Sequence, residues 1–238
     1  MWLSEWFRRN DGAGVVIDSS VIAASLLAIC LLAGVFIRTG VASSDDIASH
    51  RFGGPVVLQA DDKLIAFEDF EHGAAGWEGG EVTDAASGFG GILGLFGGTY
   101  GLEGVTKTFR LSNEHQFTIV EFELHAIDDW QLEEISLFIN GETVVTRSFA
   151  TRPELVQRQA TQISDNPQFR ISVTPRYASP EDRGFGAVED QTLAVRISIN
   201  NPGATLSIGF GSNLLPDNSQ AFWAVDNLRV TATDHEVF

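Results

Sequence analysis

Cysteine is almost absent from this chain of 238 residues, and the one copy, Cys30, lies in an apolar run near the N-terminus. The rest of the chain therefore has no disulfide, thiolate metal site or cysteine nucleophile. Positive charge is also scarce, with 15 Lys and Arg against 32 Asp and Glu. Acidic and basic residues cancel within residues 1–38, so the net charge of −17 lies on residues 39–238. Such a surface repels phosphate backbones, which argues against nucleic acid as a partner.

Charge is missing altogether from residues 19–37, a run of small and apolar residues. At about 1.5 Å per residue, a helix of this length just crosses the ~30 Å hydrocarbon layer of a bilayer. Arg8 and Arg9 precede the run, and the positive-inside rule then places the N-terminus in the cytoplasm. We predict a cytoplasmic segment at residues 1–14 and one transmembrane helix at residues 15–38. The helix would span the inner membrane, contact its lipids and hold a periplasmic or extracellular domain.

Two other interpretations of this N-terminal segment remain open. A cleaved signal peptide would end at a small-residue site, to which residues 41–43 are a weak match. Residues 7–28 resemble the basic-then-glycine start and apolar helix of Flp-type pilins and pseudopilins. Those proteins have a glutamate at the fifth position after the processed glycine, where this chain has Ile17 or Ser19, depending on the glycine.

The remainder of the chain shows the period-two pattern of β strands. Apolar and polar residues alternate from Val120 to Ala126, as in a half-buried strand. Asn140-Gly141 separates two such runs and predicts a hairpin. We predict one antiparallel all-β sandwich over residues 64–232, with a tether at residues 39–63 and a tail at residues 233–238.

Two segments do not follow this pattern. Residues 84–104 contain eight glycines among aromatic side chains, which predicts either a long loop or strands that approach closely. Residues 151–168 are polar and fit either one short helix or a surface excursion.

The two ends of the predicted sandwich carry a recognisable pattern. Phe67–Glu71 followed by Gly76-Trp77, together with Trp223–Val230, resembles the opening and closing strands of lectin-like jelly rolls. Those are the galactose-binding-like carbohydrate-binding modules and the laminin-G-like sandwiches. Ile127–Trp130 is similar to a strand end that recurs in bacterial surface domains. The resemblance implies an antiparallel jelly-roll β-sandwich in which the first and last strands lie side by side.

The same resemblance implies a structural calcium ion at the junction of those two strands. Glu68 and Asp226 match the acidic positions that hold it in the relatives. Calcium prefers several hard oxygen ligands, which carboxylates and carbonyls supply. Such an ion would stiffen the sandwich.

Aromatic and acidic residues are the candidates for ligand binding. Trp77 and Trp130 are aromatic faces that suit the apolar C–H face of a sugar ring, and Asp128 and Asp129 precede Trp130 in a predicted loop. The further stacking candidates are Tyr100, Tyr177 and Trp223.

An enzyme is disfavoured by the carboxylate pattern. Glu121 and Glu123 share one strand face at roughly 7 Å, within the separation that glycosidases use. The third acid of the concanavalin-like glycosidases is missing, because Ala126 and Ile127 occupy its place. We therefore predict a solvated acidic face here and expect the histidines at the surface.

Two functions fit these observations. The first is a membrane-anchored, extracytoplasmic lectin-like module that binds glycan or another envelope component. The second is an accessory or structural subunit of a membrane or pilus-like assembly, with the helix packed in the complex and the β domain on its outer face.

Overall fold

The computed structural model describes residues 59–84, 89–111, 114–176, 188–215 and 220–236. The predicted transmembrane helix at residues 15–38 and most of the tether lie outside these ranges. Within them, no helix has the length and apolar character needed to cross a bilayer. All the described residues belong to one compact unit, Ser44–Phe238.

The described residues form β strands and one single-turn helix, α1 (Pro153–Val156). The strands are β1 (Lys63–Glu68), β2 (Val82–Asp84), β3 (Gly91–Phe96), β4 (Val105–Arg110), β5 (Phe117–Asp128), β6 (Gln131–Ile139), β7 (Glu142–Ala150), β8 (Thr161–Ile163), β9 (Phe169–Pro175), β10 (Gln191–Asn200), β11 (Thr205–Ser212) and β12 (Ala221–Thr233).

The strands form two antiparallel sheets that share one core. The seven-stranded sheet has the order β2-β3-β12-β5-β10-β9. The seventh strand, β1, also pairs with β12, along the part of β12 that follows its pairing with β3. The five-stranded sheet has the order β4-β11-β6-β7-β8. The predicted all-β antiparallel sandwich is therefore confirmed. The first and last strands are neighbours, because Lys63 pairs with Ala232 and Glu68 pairs with Leu228.

The core lies between the two sheets and follows the sequence pattern. On β5, Val120, Phe122, Leu124 and Ala126 all belong to this core, as their alternation predicts. The Asn140-Gly141 hairpin is also present, joining β6 to β7 with φ of +52° and +79° at the two turn residues. Positive φ at both central positions is the type I′ pattern that Asn-Gly favours.

The two segments without a clear pattern take mixed structures. Residues 84–104 include β3, which pairs with β12 and β2. Residues 151–168 hold α1 and then β8, an edge strand of the five-stranded sheet. A short helix and a further strand are thus both present where the sequence left a choice.

Candidate functional site

A tight turn between β3 and β4 displays a tyrosine to solvent. Thr99–Leu102, here called the tyrosine turn, is closed by a hydrogen bond from the Leu102 amide to the Thr99 carbonyl. Tyr100 and Gly101 have φ of +57° and +75°, which is the type I′ pattern again. A left-handed backbone costs roughly 1–2 kcal/mol for a residue other than glycine, asparagine or aspartate. Strained positions of this kind concentrate at functional sites, so Tyr100 is a candidate for function.

The tyrosine turn is fixed against the end of β11. The amides of Thr99 and Gly101 both donate to the Ser212 carbonyl, at 3.0 and 2.8 Å. The Ser212 amide donates in return to Thr99 Oγ1 at 2.9 Å. Behind the turn, the Gly97 carbonyl accepts the indole N–H of the buried Trp223 at 2.8 Å. This ladder of contacts holds the Tyr100 backbone in one position.

Three exposed apolar side chains lie on or near the turn. Tyr100 is 74% exposed, Leu102 is 68% exposed and Leu215 is 66% exposed. Leu215 lies alongside, because a Cβ added to Gly98 would fall 1.5 Å from the Leu214 carbonyl oxygen and 2.8 Å from the Leu215 carbonyl carbon. These three residues, here called the apolar patch, expose one aromatic ring and two aliphatic side chains to solvent. Such a surface suits the C–H face of a sugar ring.

The two tryptophans predicted to bind ligand belong to the core. Trp130 is completely buried, packs on Phe149 and donates its indole N–H to the Ile127 and Phe222 carbonyls at 3.0 and 3.2 Å. Trp77 is also buried, and its indole N–H bonds to the Glu68 carboxylate. Neither ring presents a face to solvent.

Asp128 and Asp129 form the corner between β5 and β6. Asp128 has φ of +65°, and its amide donates to Asp190 Oδ1 at 3.0 Å. The Asp129 carboxylate lies 3.4 Å from the Arg152 guanidinium. The corner is thus held by local polar contacts, and both Asp128 and Asp129 are partly exposed to solvent.

Glu68 and Asp226 lie on opposite faces of the seven-stranded sheet. Glu68 pairs with Leu228, whose side chain enters the core, and its carboxylate forms an ion pair with Lys107. Asp226 pairs directly with Glu123. Directly paired residues share a face, and the Glu123 face points away from the core. The structure therefore does not bring these two carboxylates together, and calcium binding stays a prediction.

The outer face of β5 is covered and charged, contrary to the predicted solvated acidic face. Glu121 is 1% exposed and is bound by two arginines, the buried Arg229 on β12 and the partly exposed Arg196 on β10. The Arg229 Nε donates to Glu121 Oε2 at 2.8 Å, and Arg196 Nε donates to Oε1 at 2.7 Å. Both carboxylate oxygens are thereby bound, which offsets the cost of burying the charge.

A second polar group continues along the same face. Glu123 Oε1 accepts from Arg176 Nε at 3.1 Å, and Glu123 Oε2 accepts from Asn227 Nδ2 at 3.2 Å. The same Asn227 Nδ2 contacts Asp226 Oδ2 at 2.7 Å. His125 follows, with Nδ1 at 2.9 Å from Thr192 Oγ1. The expectation that His125 lies at the surface is wrong, because this residue is 1% exposed.

Sequence reasoning missed this buried network, although a signal for it was present. Arg196 on β10 and Arg229 on β12 occupy period-two positions on strands that flank β5. Opposite charges at matching spacing on three strands indicate pairing across a sheet. For Tyr100, the sequence signal is the Tyr-Gly step inside the glycine-rich segment.

No protein-family model matches this sequence, and no curated protein matches it. Among solved structures, the chain is similar to the CBM22-1–GH10 modules of endo-1,4-β-D-xylanase 10B from Clostridium thermocellum, complexed with xylohexaose. The sequence identity is 8% and the TM-score is 0.36. The match covers 74% of this chain and 29% of the xylanase chain. A similarity at this level does not identify a ligand.

Proposed function

We propose that this chain is a membrane-anchored, extracytoplasmic module that binds glycan through the apolar patch around Tyr100. The observation that carries the proposal is the tyrosine turn itself. It holds an aromatic ring in solvent at a strained backbone position, on a loop tied to the sheet by hydrogen bonds. Residues 15–38 are the proposed anchor.

The burial and the ion pairs of the two neighbouring carboxylates favour a binding function over catalysis. Glu121 and Glu123 are buried, and arginine side chains already bind them. A glycosidase needs one such group to reach the glycosidic oxygen and the other to reach the sugar or a water. Here both groups support the sheet instead.

The charge of the domain narrows the ligand class. A surface carrying net −17 repels uronic-acid and sulfated polymers over a Debye length of about 8 Å at physiological salt. Neutral polysaccharides carry no such penalty. We therefore propose a neutral glycan, with Tyr100 stacking on a pyranose and Leu102 and Leu215 contacting its edges.

Affinity electrophoresis of the purified full chain through gels containing neutral or anionic polysaccharides tests this function. A neutral polymer should retard the wild type, and Tyr100→Ala should weaken that binding about tenfold, or ~1.4 kcal/mol. Tyr100→Phe should keep most of it. The matched control is Ile163→Ala, which removes an exposed apolar side chain from the edge strand β8 and should change nothing.

Two outcomes contradict the proposal. If no neutral polymer retards the wild type, or if Tyr100→Ala binds as well as Ile163→Ala does, the apolar patch is not a glycan platform. Recovery of the extracted chain in a stoichiometric membrane complex, combined with no retardation, would instead favour an assembly subunit.

A further inference from the structure

We propose that Glu123, His125 and Asp226 form a buried binding site for a divalent transition metal, with zinc as the best match. The three side chains come from two neighbouring strands, since Glu123 and His125 lie on β5 and Asp226 pairs with Glu123 from β12. Each can offer one ligand atom, and those atoms lie within 4.8 Å of one another. This site is separate from the apolar patch and does not depend on glycan binding.

Burial sets these residues apart from an ordinary acidic surface. Glu123 is 7% exposed, His125 is 1% exposed and Asp226 is 4% exposed. Polar groups taken out of water cost free energy unless they are paired, and buried charges are usually bonded or coordinate metals. A mixed carboxylate and imidazole set at one buried place is the composition of a metal site.

The two carboxylates have their oxygens arranged around one electropositive point. Asn227 Nδ2 contacts both Glu123 Oε2 and Asp226 Oδ2, at 3.2 and 2.7 Å. An amide N–H₂ carries only partial positive charge, whereas facing carboxylates at directly opposed positions repel one another. Glu123 Oε1 is already paired with Arg176, so a divalent cation would bind Glu123 Oε2 and Asp226 Oδ2 in place of the Asn227 amide, which would rotate away.

Two neighbours fix the position of the His125 ring. On β12, His125 pairs with Ala224, and the Phe89 ring packs against the imidazole with 4.8 Å between the ring centroids. Thr192 Oγ1 contacts the ring at Nδ1, and we therefore assign metal coordination to Nε2. Metal-ligating histidines commonly have the other ring nitrogen bonded in this way, which fixes the tautomer and the ring orientation.

The ligand set selects among metals. Imidazole nitrogen suits zinc and its neighbours in the first transition row, whereas calcium and magnesium prefer all-oxygen sites. Zinc takes His nitrogen at about 2.0–2.1 Å and carboxylate oxygen at about 2.0–2.2 Å. Small side-chain movements from the present spacing close the ligands onto the ion.

Metal analysis of the full chain tests this site directly. After chelator treatment and desalting, the chain is equilibrated with zinc, manganese, calcium or magnesium, and bound metal is measured per chain. We expect one zinc per chain with little calcium or magnesium. Cobalt in place of zinc should give visible d–d absorption, which reports nitrogen and oxygen coordination without any mutation.

Variants then locate the ion. Asp226→Asn and His125→Gln should each lower zinc affinity by at least tenfold, and Thr192→Val should lower it about tenfold through the ring orientation. His72→Gln is the matched control, because His72 is exposed and should bind no structural ion. The far-ultraviolet circular dichroism of each variant checks that it is folded.

Clear results would overturn the site. Zinc is supplied at about ten times the dissociation constants usual for structural sites. Binding of less than about 0.2 equivalent, or roughly one zinc for five chains, then contradicts the site. A cobalt spectrum identical to that of free aqueous cobalt contradicts it as well. Loss of zinc in His72→Gln but not in folded His125→Gln places the ion elsewhere. Calcium binding that needs Asp226 but not His125 also refutes a transition-metal site.

Discussion

Two variants of Tyr100 distinguish the contribution of this residue to loop stability from its proposed role in glycan binding. Tyr100 occupies the first central position of a type I′ turn, where asparagine followed by glycine is the favoured pair. Tyr100→Asn and Tyr100→Ala both remove the aromatic ring. They differ in how well the new residue tolerates the left-handed backbone, and only asparagine does so readily.

The expected difference is set by that backbone cost. Because Tyr100 is 74% exposed, the ring contributes little burial, and its loss is common to both variants. Tyr100→Asn should therefore be more stable than Tyr100→Ala by about 1 kcal/mol. For a domain of this size, that corresponds to roughly 2–4 °C in the melting temperature. Glycan affinity should nevertheless fall by the same factor in both.

Thermal melts and affinity electrophoresis of the two variants, run side by side, measure these effects. Equal melting temperatures would mean that residue 100 does not hold a left-handed backbone, and the strain argument would fail. If Tyr100→Asn binds neutral glycan as tightly as the wild type, the ring is not the platform, whatever the melts show. The two readouts are independent, so one can fail without the other.

Further predictions concern the sheet, the core and the anchor. Arg229→Met should lower the free energy of unfolding by about 3 kcal/mol, because the buried Glu121 loses one of its two arginine partners. Arg196→Met removes the more exposed partner and should lower it less, as measured by urea unfolding. Trp130→Phe should cost about 1–3 kcal/mol, because two buried carbonyls lose their indole donor; an unchanged urea midpoint would contradict this. Protease added to right-side-out spheroplasts should remove the β domain and spare residues 1–14, whereas a fully protected domain refutes the proposed orientation.

The sequence patterns that predicted the fold are those with a strict physical cause. Alternation along β5 predicts the buried Phe122 and Leu124, because successive side chains of a strand point to opposite faces. Asn140-Gly141 predicts a hairpin, since few other pairs accept two positive φ angles. Both features are local, and neither depends on distant parts of the chain.

The exposure of the candidate site residues depends on contacts with distant parts of the chain, which local sequence patterns do not predict. Alternation shows that Glu121 and Glu123 share a face, but whether that face meets water depends on arginines from other strands. Trp130 has the composition of a sugar platform and of a core residue alike. Its burial follows from Phe149 and from the carbonyls that accept its N–H, which lie on three different segments.

The buried charges also connect the sheet to the tyrosine turn. Two steps along β5, from Glu123 to Glu121, match three steps along β12, from Asp226 to Arg229, so β12 carries a bulge there, with Asn227 at φ of +51°. At this bulge β12 changes partner from β3 to β1. The charge contacts on both sides of the bulge fix its register, since a shift by one residue would leave Glu121 and Arg229 on opposite faces. The register in turn places Trp223, whose N–H holds Gly97 at the base of the loop that displays Tyr100.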